Sequence, residues 1–274
     1  MEWENGPKVR GIEHPHVMPY LCAFQHGNVE ESPVYFIVME YAQATLEDFF
    51  NSSSFSIFGS SQELWKQIEG TTEGLKELHQ KRLFHMDLKP QNILILNGVM
   101  KIADFGISRY IEENAKSSDA PELTTPNDSR QGVYAPPESI IASEQFDVYS
   151  LAGIMSEAAC RDIGGKKKLK RYRDLRTKEK RGCIGRPTFH LNGEMKKAVT
   201  NQHDILLSFV RKGQTGTRVR SIDLWQQEFF GDGKIFSLIQ EMLTPYRDKA
   251  PSLDLVIKEL QGRLVQTGIS PADN

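Results

Sequence analysis

Cysteine is scarce: Cys22, Cys160 and Cys183 are the only three in 274 residues. They are too far apart for a zinc-site spacing and odd in number for a disulfide framework, so a reducing intracellular compartment, cytoplasmic or nuclear, is expected. Also absent is any run of 18 consecutive apolar residues, and the chain opens MEWENGPK, acidic and polar where a secretory leader needs a basic start and an apolar stretch. No membrane partner is expected. Neither sign of charge dominates, because 34 Lys and Arg stand against 36 Asp and Glu for a net of −2. General attraction to nucleic acid is therefore not expected. No internal repeat occurs.

What remains is ordinary globular material, 39% apolar and 26% charged, long enough for one large domain or two modest ones. The charge is uneven. Residues 166–181, KKKLKRYRDLRTKEKR, hold ten basic and two acidic side chains. Such a run reads first as a solvated loop or helix face and second as a nuclear address or a contact surface. Residues 51–62 and 116–132, rich in Ser, Thr, Pro and Asp, read as loops.

Between the loops, the apolar run Val34 to Met39 predicts a buried strand. Ser60 with Glu63 predicts a capping box, opening a helix to about residue 80 with Leu64, Ile68, Leu75 and Leu78 on one face. Ile93–Leu96 and Val99–Ile102 flank Asn97-Gly98, the two-residue turn that hairpins favour. Phe146 to Cys160 is apolar on nearly every side, as in a helix at the centre of a domain. Two more amphipathic helices are expected over Ile235–Leu243 and Leu253–Leu264.

The segment with chemistry in it is His85-Met86-Asp87-Leu88-Lys89-Pro90-Gln91-Asn92, followed across the hairpin by Asp104-Phe105-Gly106, 17 residues after Asp87. It resembles the catalytic loop H-R-D-L-x-x-x-N and the metal-binding triplet of the eukaryotic protein kinases, and departs from the loop pattern at Met86. Lys89, two residues after Asp87, is similar to the serine/threonine rather than the tyrosine class. The resemblance implies an α+β fold with a mainly helical C-lobe and a short remnant of an N-lobe sheet. It also implies ATP and Mg²⁺ as cofactors and a protein substrate with Ser or Thr acceptors. Asp87 and Lys89 would be catalytic, Asp87 taking the substrate proton and Lys89 facing the γ-phosphate, while Asn92 and Asp104 would hold the metal through hard oxygen ligands.

Further stretches follow the same likeness. His14-Pro15-His16-Val17 resembles the turn after the regulatory helix, and Phe36 to Ala42 resembles the strand and hinge that hold adenine. Met39 would be the gatekeeper, Glu40 and Ala42 would offer backbone groups, and Leu94 would floor the ring. His85, Phe105, Gly106, Glu138 (in Tyr134-Ala135-Pro136-Pro137-Glu138) and Asp147 would be structural supports. Ala250 stands where an arginine would pair with Glu138, so Arg247 or Lys249 is expected to substitute. Residues 161–234 fit poorly and resemble the enlarged insert of some fungal kinases. No Gly-rich lid, strand lysine or partner glutamate can be placed among the 13 residues before His14, so most of the N-lobe is expected to be missing. The organisation expected is an N-lobe remnant and hinge over 1–42, a C-lobe over 43–265 with its insert at 161–234, and a tail over 266–274. The rival reading is a pseudokinase scaffold without turnover.

Overall fold

The computed structural model describes residues 9–27, 34–54, 56–111, 132–137, 143–178, 186–213, 221–245 and 249–266. Its elements run β1 (Tyr20–His26), β2 (Val34–Met39), β3 (Ala44–Thr45), α1 (Leu46–Asn51), α2 (Ser61–Gln80) and β4 (Leu83–Phe84). After a 3₁₀ turn at Pro90–Asn92 come β5 (Ile93–Leu96), β6 (Val99–Ile102), β7 (Arg109–Tyr110) and α3 (Glu144–Thr177). The rest is β8 (His190–Leu191), β9 (Glu194–Met195), α4 (Lys197–Arg211), α5 (Leu224–Phe230), α6 (Lys234–Met242) and α7 (Leu253–Gln266). Helix outweighs strand, as the periodicity predicts. Among the described residues no helix is long and apolar enough to cross a membrane.

Helix α3 occupies the centre because it has no polar stripe to turn outward: residues 146–163 are all buried. It packs against α1, α2, α4 and α6. One of its buried carboxylates shows how it is tied to its neighbours. Asp162 accepts from Ser61 Oγ, from Trp65 Nε1 at 3.1 Å and from Gln226 Nε2 at 2.8 Å, which ties α2 and α5 to the central helix. Helix α2 begins as expected, with Ser60 Oγ accepting from Glu63 N at 3.1 Å. The reciprocal half of the box is replaced by Gln67 donating to the Glu63 carboxylate. Midway, α2 meets the turn His14–Val17 so closely that a Cβ on Gly70 would fall 2.1 Å from the His16 ring. That close approach is why the position suits glycine.

Strand β2 forms where expected, but the burial does not. It pairs antiparallel with β1, and Val34, Tyr35, Phe36 and Val38 are exposed, with Phe36 stacked on Phe24 at 4.9 Å between centroids. An apolar run specifies an extended segment without specifying what covers it. Among the described residues no layer lies over this two-stranded face.

The basic run also departs from expectation. Helix α3 breaks at Gly165 (φ 75, ψ 176) and continues as a second limb, residues 166–177. On this limb Leu169, Tyr172 and Arg176 are buried, so the run has an inward face as well as a solvated one. Arg176 pairs with Glu157, 19 residues earlier, a separation of about 28 Å along a straight helix. The limb therefore folds back beside the first. Tyr172 Oη meets Ser156 Oγ at 2.7 Å, and Lys196 Nζ donates to the carbonyls of Arg176 and Arg186 at 2.8 and 3.1 Å. The β8–β9 hairpin is pinned by Tyr149 Oη against His190 Nδ1 at 2.7 Å. The described parts of residues 161–234 are thus tied into the main core.

Two imidazoles in that stretch make stability pH-dependent. Burial pushes His203 down to about 4, with Arg176 adding to the effect, and does the same to His190, with Lys196 adding. Unfolded, each takes a proton near 6.5. Between those values the unfolded chain binds more protons, so stability falls as pH drops from about 6.5 towards 4, by about 1.4 kcal/mol per pH unit for each ring. Urea titrations at pH 7 and pH 5 are expected to show this loss, and His203→Gln to flatten it. An unaltered pH slope in that variant would count against the assignment.

Candidate active site

The loop His85–Asn92 is held from beneath by the first turn of α3. Asp147, wholly buried, receives His85 N on Oδ2 and Met86 N on Oδ1, both at 2.8 Å, and its Oδ2 also meets His79 Nε2 at 2.8 Å. These bonds hold Met86 at φ 66, a left-handed conformation that costs a branched or bulky residue roughly 1 to 3 kcal/mol. The Met86 side chain is buried against Phe146, beside Phe84 and Ala135. Where the resemblance puts an arginine, this chain makes an apolar contact with the segment carrying Tyr134.

His85 fastens the loop to the next element. Its Nδ1 accepts from Asp87 N at 3.3 Å, which leaves Nε2 to donate to Ala103 O at 2.9 Å. Its ring packs on buried Phe105, centroids 5.3 Å apart, and its carbonyl accepts from Ser108 Oγ at 3.1 Å. Asp87 then faces the open side. Its Oδ2 receives Lys89 Nζ and, at 3.1 Å, Asn92 Nδ2, which also donates to Asp87 O at 2.9 Å.

The hairpin brings the second carboxylate to the same place. Asn97 (φ 50) and Gly98 (φ 83) supply the two left-handed residues of a tight turn, and β5 and β6 pair with Ile93 opposite Ile102. Ala103 N donates to Asn92 O at 2.9 Å, which sets Asp104 beside Asn92 across the end of the hairpin. Asp104 is exposed, its φ is 66, and its Oδ1 accepts from Gly106 N at 3.4 Å. Because Asn92 spends its amide N–H groups on Asp87, its Oδ1 is the atom it can offer a cation. One amide oxygen and one exposed carboxylate suit Mg²⁺, which takes one or two side-chain oxygens and completes its shell with phosphate and water. No group of three His, Cys, Asp or Glu suited to an all-protein metal site occurs among the described residues.

On the other side of the hairpin, Met39, Ala42 and Leu94 pack against Met18, Leu96 and Ala103 in a small apolar cluster, with Glu40 and Tyr41 exposed beside it. Three of the expected adenine contacts thus share one surface. Met18 and Ala103 belong to it without having been expected, although each adjoins a recognised motif, Met18 after His14–Val17 and Ala103 before Asp104. Gly106 is half-buried. Glu138 and Arg247 lie outside the described residues, and the pairing expected between them with them.

A family model described as protein kinase domain matches residues 8–258. A match over that span gives no support to the expectation that most of the N-lobe is missing. Among curated proteins the chain is similar to a probable protein kinase of Dictyostelium discoideum, 29% identical over 168 residues, 58% of this chain and 42% of the relative. It is similar to the serine/threonine-protein kinase nekl-2 of Caenorhabditis elegans, 31% identical over 161 residues, 54% of this chain and 42% of the relative. A probable serine/threonine-protein kinase of Encephalitozoon cuniculi, an MRK1 homolog, is 25% identical over 151 residues, 53% of this chain and 44% of the relative. The chain spans less than half the length of these relatives.

Proposed function

Because the chain belongs to the protein kinase family, matched over residues 8–258, we propose that it transfers a phosphoryl group from Mg-ATP to serine or threonine hydroxyls of proteins. The observation that carries this reading is the single cluster in which Lys89 and Asn92 both bond to the Asp87 carboxylate, with Asp104 alongside across the end of the hairpin. Mg-ATP would supply the phosphoryl group, and Asn92 Oδ1 and the Asp104 carboxylate are the atoms that would hold the metal, whose charge would neutralise the phosphates.

Everything else is positioning by this chain. The Asp87 carboxylate orients the incoming hydroxyl and takes its proton as the oxygen becomes nucleophilic. Lys89 lends positive charge to the transferring group, and the ammonium's bond to Asp87 aligns the two. Met39, Ala42 and Leu94, half-buried and backed by the buried Met18, Leu96 and Ala103, offer an apolar surface to the adenine ring, and the backbone at Glu40 and Ala42 offers it hydrogen bonds. In this reading residues 1–42 carry the hinge, 43–265 the catalytic lobe and 266–274 a tail.

Radiolabelled ATP with Mg²⁺ and a mixed acceptor protein, followed by phosphoamino-acid analysis, tests the proposal. Label on serine and threonine is expected, and Asp104→Asn is expected to weaken the response to Mg²⁺. Incorporation no greater than that of an Asp87→Ala control would refute the reading.

A further inference from the structure

Residues 132–137 run beside the carboxylate assigned to proton transfer. A Cβ placed on Gly132 would lie 4.0 Å from Asp87 Oδ1, so whatever fixes this segment fixes one wall of the space a substrate hydroxyl must enter. The segment is anchored through Tyr134. Its carbonyl accepts from Ser150 Oγ at 3.0 Å, its ring leans on Phe189 with centroids 6.1 Å apart, and its hydroxyl donates to Glu157 Oε2 at 2.9 Å.

Glu157 is wholly buried, and burial by itself drives a carboxyl towards its neutral form. Arg176 and Arg173 outweigh that and hold Glu157 below the usual carboxylate range. Arg173 Nε donates to Glu157 Oε2 at 2.9 Å, while its two terminal nitrogens fork onto Glu47 at 2.7 and 2.8 Å. Arg176 pairs with Glu157 Oε1 and lies over the rings of Phe189 and Tyr172, at 4.0 and 4.6 Å from their centroids. Arg173, Arg176 and Phe189 all come from residues 161–234, the stretch that no motif explained.

A buried ion cluster is weak evidence for stability, since apolar residues of similar volume often serve as well. What it adds is direction. Apolar packing would let the Tyr134 ring slide, whereas a charged acceptor with a fixed orientation aims its hydroxyl at one point.

We propose that Arg173, Arg176 and Phe189 are positioning residues for the protein acceptor. They keep Glu157 ionised and oriented, Glu157 grips Tyr134, and Tyr134 sets residues 132–137 against Asp87. The proposal rests on the phosphotransfer reading for its kinetic consequence and on geometry alone for its structural one. Replacing Arg176 or Glu157 endangers the fold, so the test uses Tyr134→Phe, which removes one hydroxyl, together with Arg173→Met and Arg173→Lys.

In the kinetic arm, KM for the acceptor protein is expected to rise about tenfold in Tyr134→Phe and Arg173→Met. KM for ATP is expected to stay within about twofold, and Arg173→Lys to recover part of the loss. In the second arm, amide hydrogen exchange in residues 132–135 is expected to quicken about tenfold while residues 146–163 keep their protection. Unchanged exchange at 132–135, or an equal rise throughout residues 146–163, overturns the proposal. So does an acceptor KM that does not move. A wild-type chain without phosphotransfer would sink the functional reading and leave exchange to decide this one.

Discussion

Asp87→Ala is expected to cut phosphotransfer by about 10²- to 10⁴-fold while leaving the thermal midpoint nearly where it was. The two halves of that result have separate causes. Activity falls because the variant has lost the only carboxylate that both faces the segment at Gly132 and bonds Lys89 and Asn92 among the described residues. Stability survives because the Asp87 side chain is 23% exposed and Lys89 32% exposed, so water takes over the orphaned donors. Asp87→Asn separates the roles further, since it keeps an oxygen for Lys89 and gives up proton acceptance. Comparable phosphotransfer by wild type and Asp87→Asn would show that the carboxylate does not take the proton.

Asp147→Ala is expected to show the opposite pattern, a stability loss of about 3 kcal/mol or more with activity failing as a consequence. The carboxylate is fully buried and answers three donors, the amides of His85 and Met86 and the ring of His79. A buried donor left without an acceptor costs about 1 to 3 kcal/mol. In a domain of about 250 residues, 3 kcal/mol lowers the thermal midpoint by about 6 to 12 °C. Calorimetry on the variant checks this. A midpoint within 2 °C of wild type, an order-of-magnitude threshold on the same scale, would mean that Met86 stays left-handed without the two bonds that account for it.

What could be read from the chain in advance was what short stretches specify by themselves. Asn97-Gly98 names its own turn, and the spacing from Asp87 through Asn92 to Asp104 survives because a hairpin of fixed length joins them. Phe146 to Cys160 announces a central helix by lacking a polar side. The Tyr134, Glu157, Arg173 and Glu47 cluster was not readable, because its members lie up to 126 residues apart and each alone is an ordinary polar residue. The same applies to the basic run: composition records ten cations but not that Arg176 turns inward, which depends on the conformation of Gly165. Strand β2 shows the limit from the other direction. Its residue types fixed an extended backbone, yet exposure depends on layers that the run itself does not encode.

Gly165 has an effect out of proportion to its size. A Cβ there would touch nothing within 4 Å, so an alanine would fit in space and be opposed only by its torsion angles. At φ 75 and ψ 176 that opposition is of order 1 to 3 kcal/mol for a residue with a side chain. The limb beyond, residues 166–177, is about 18 Å long, so a change of heading at its root is a lever that sweeps its far end through many ångströms. An alanine there, 11 residues from Arg176 and touching none of the catalytic loop, would set that torsional cost against the burial of Leu169, Tyr172 and Arg176, so any strain it relieved would be relieved by turning the limb that carries the guanidinium.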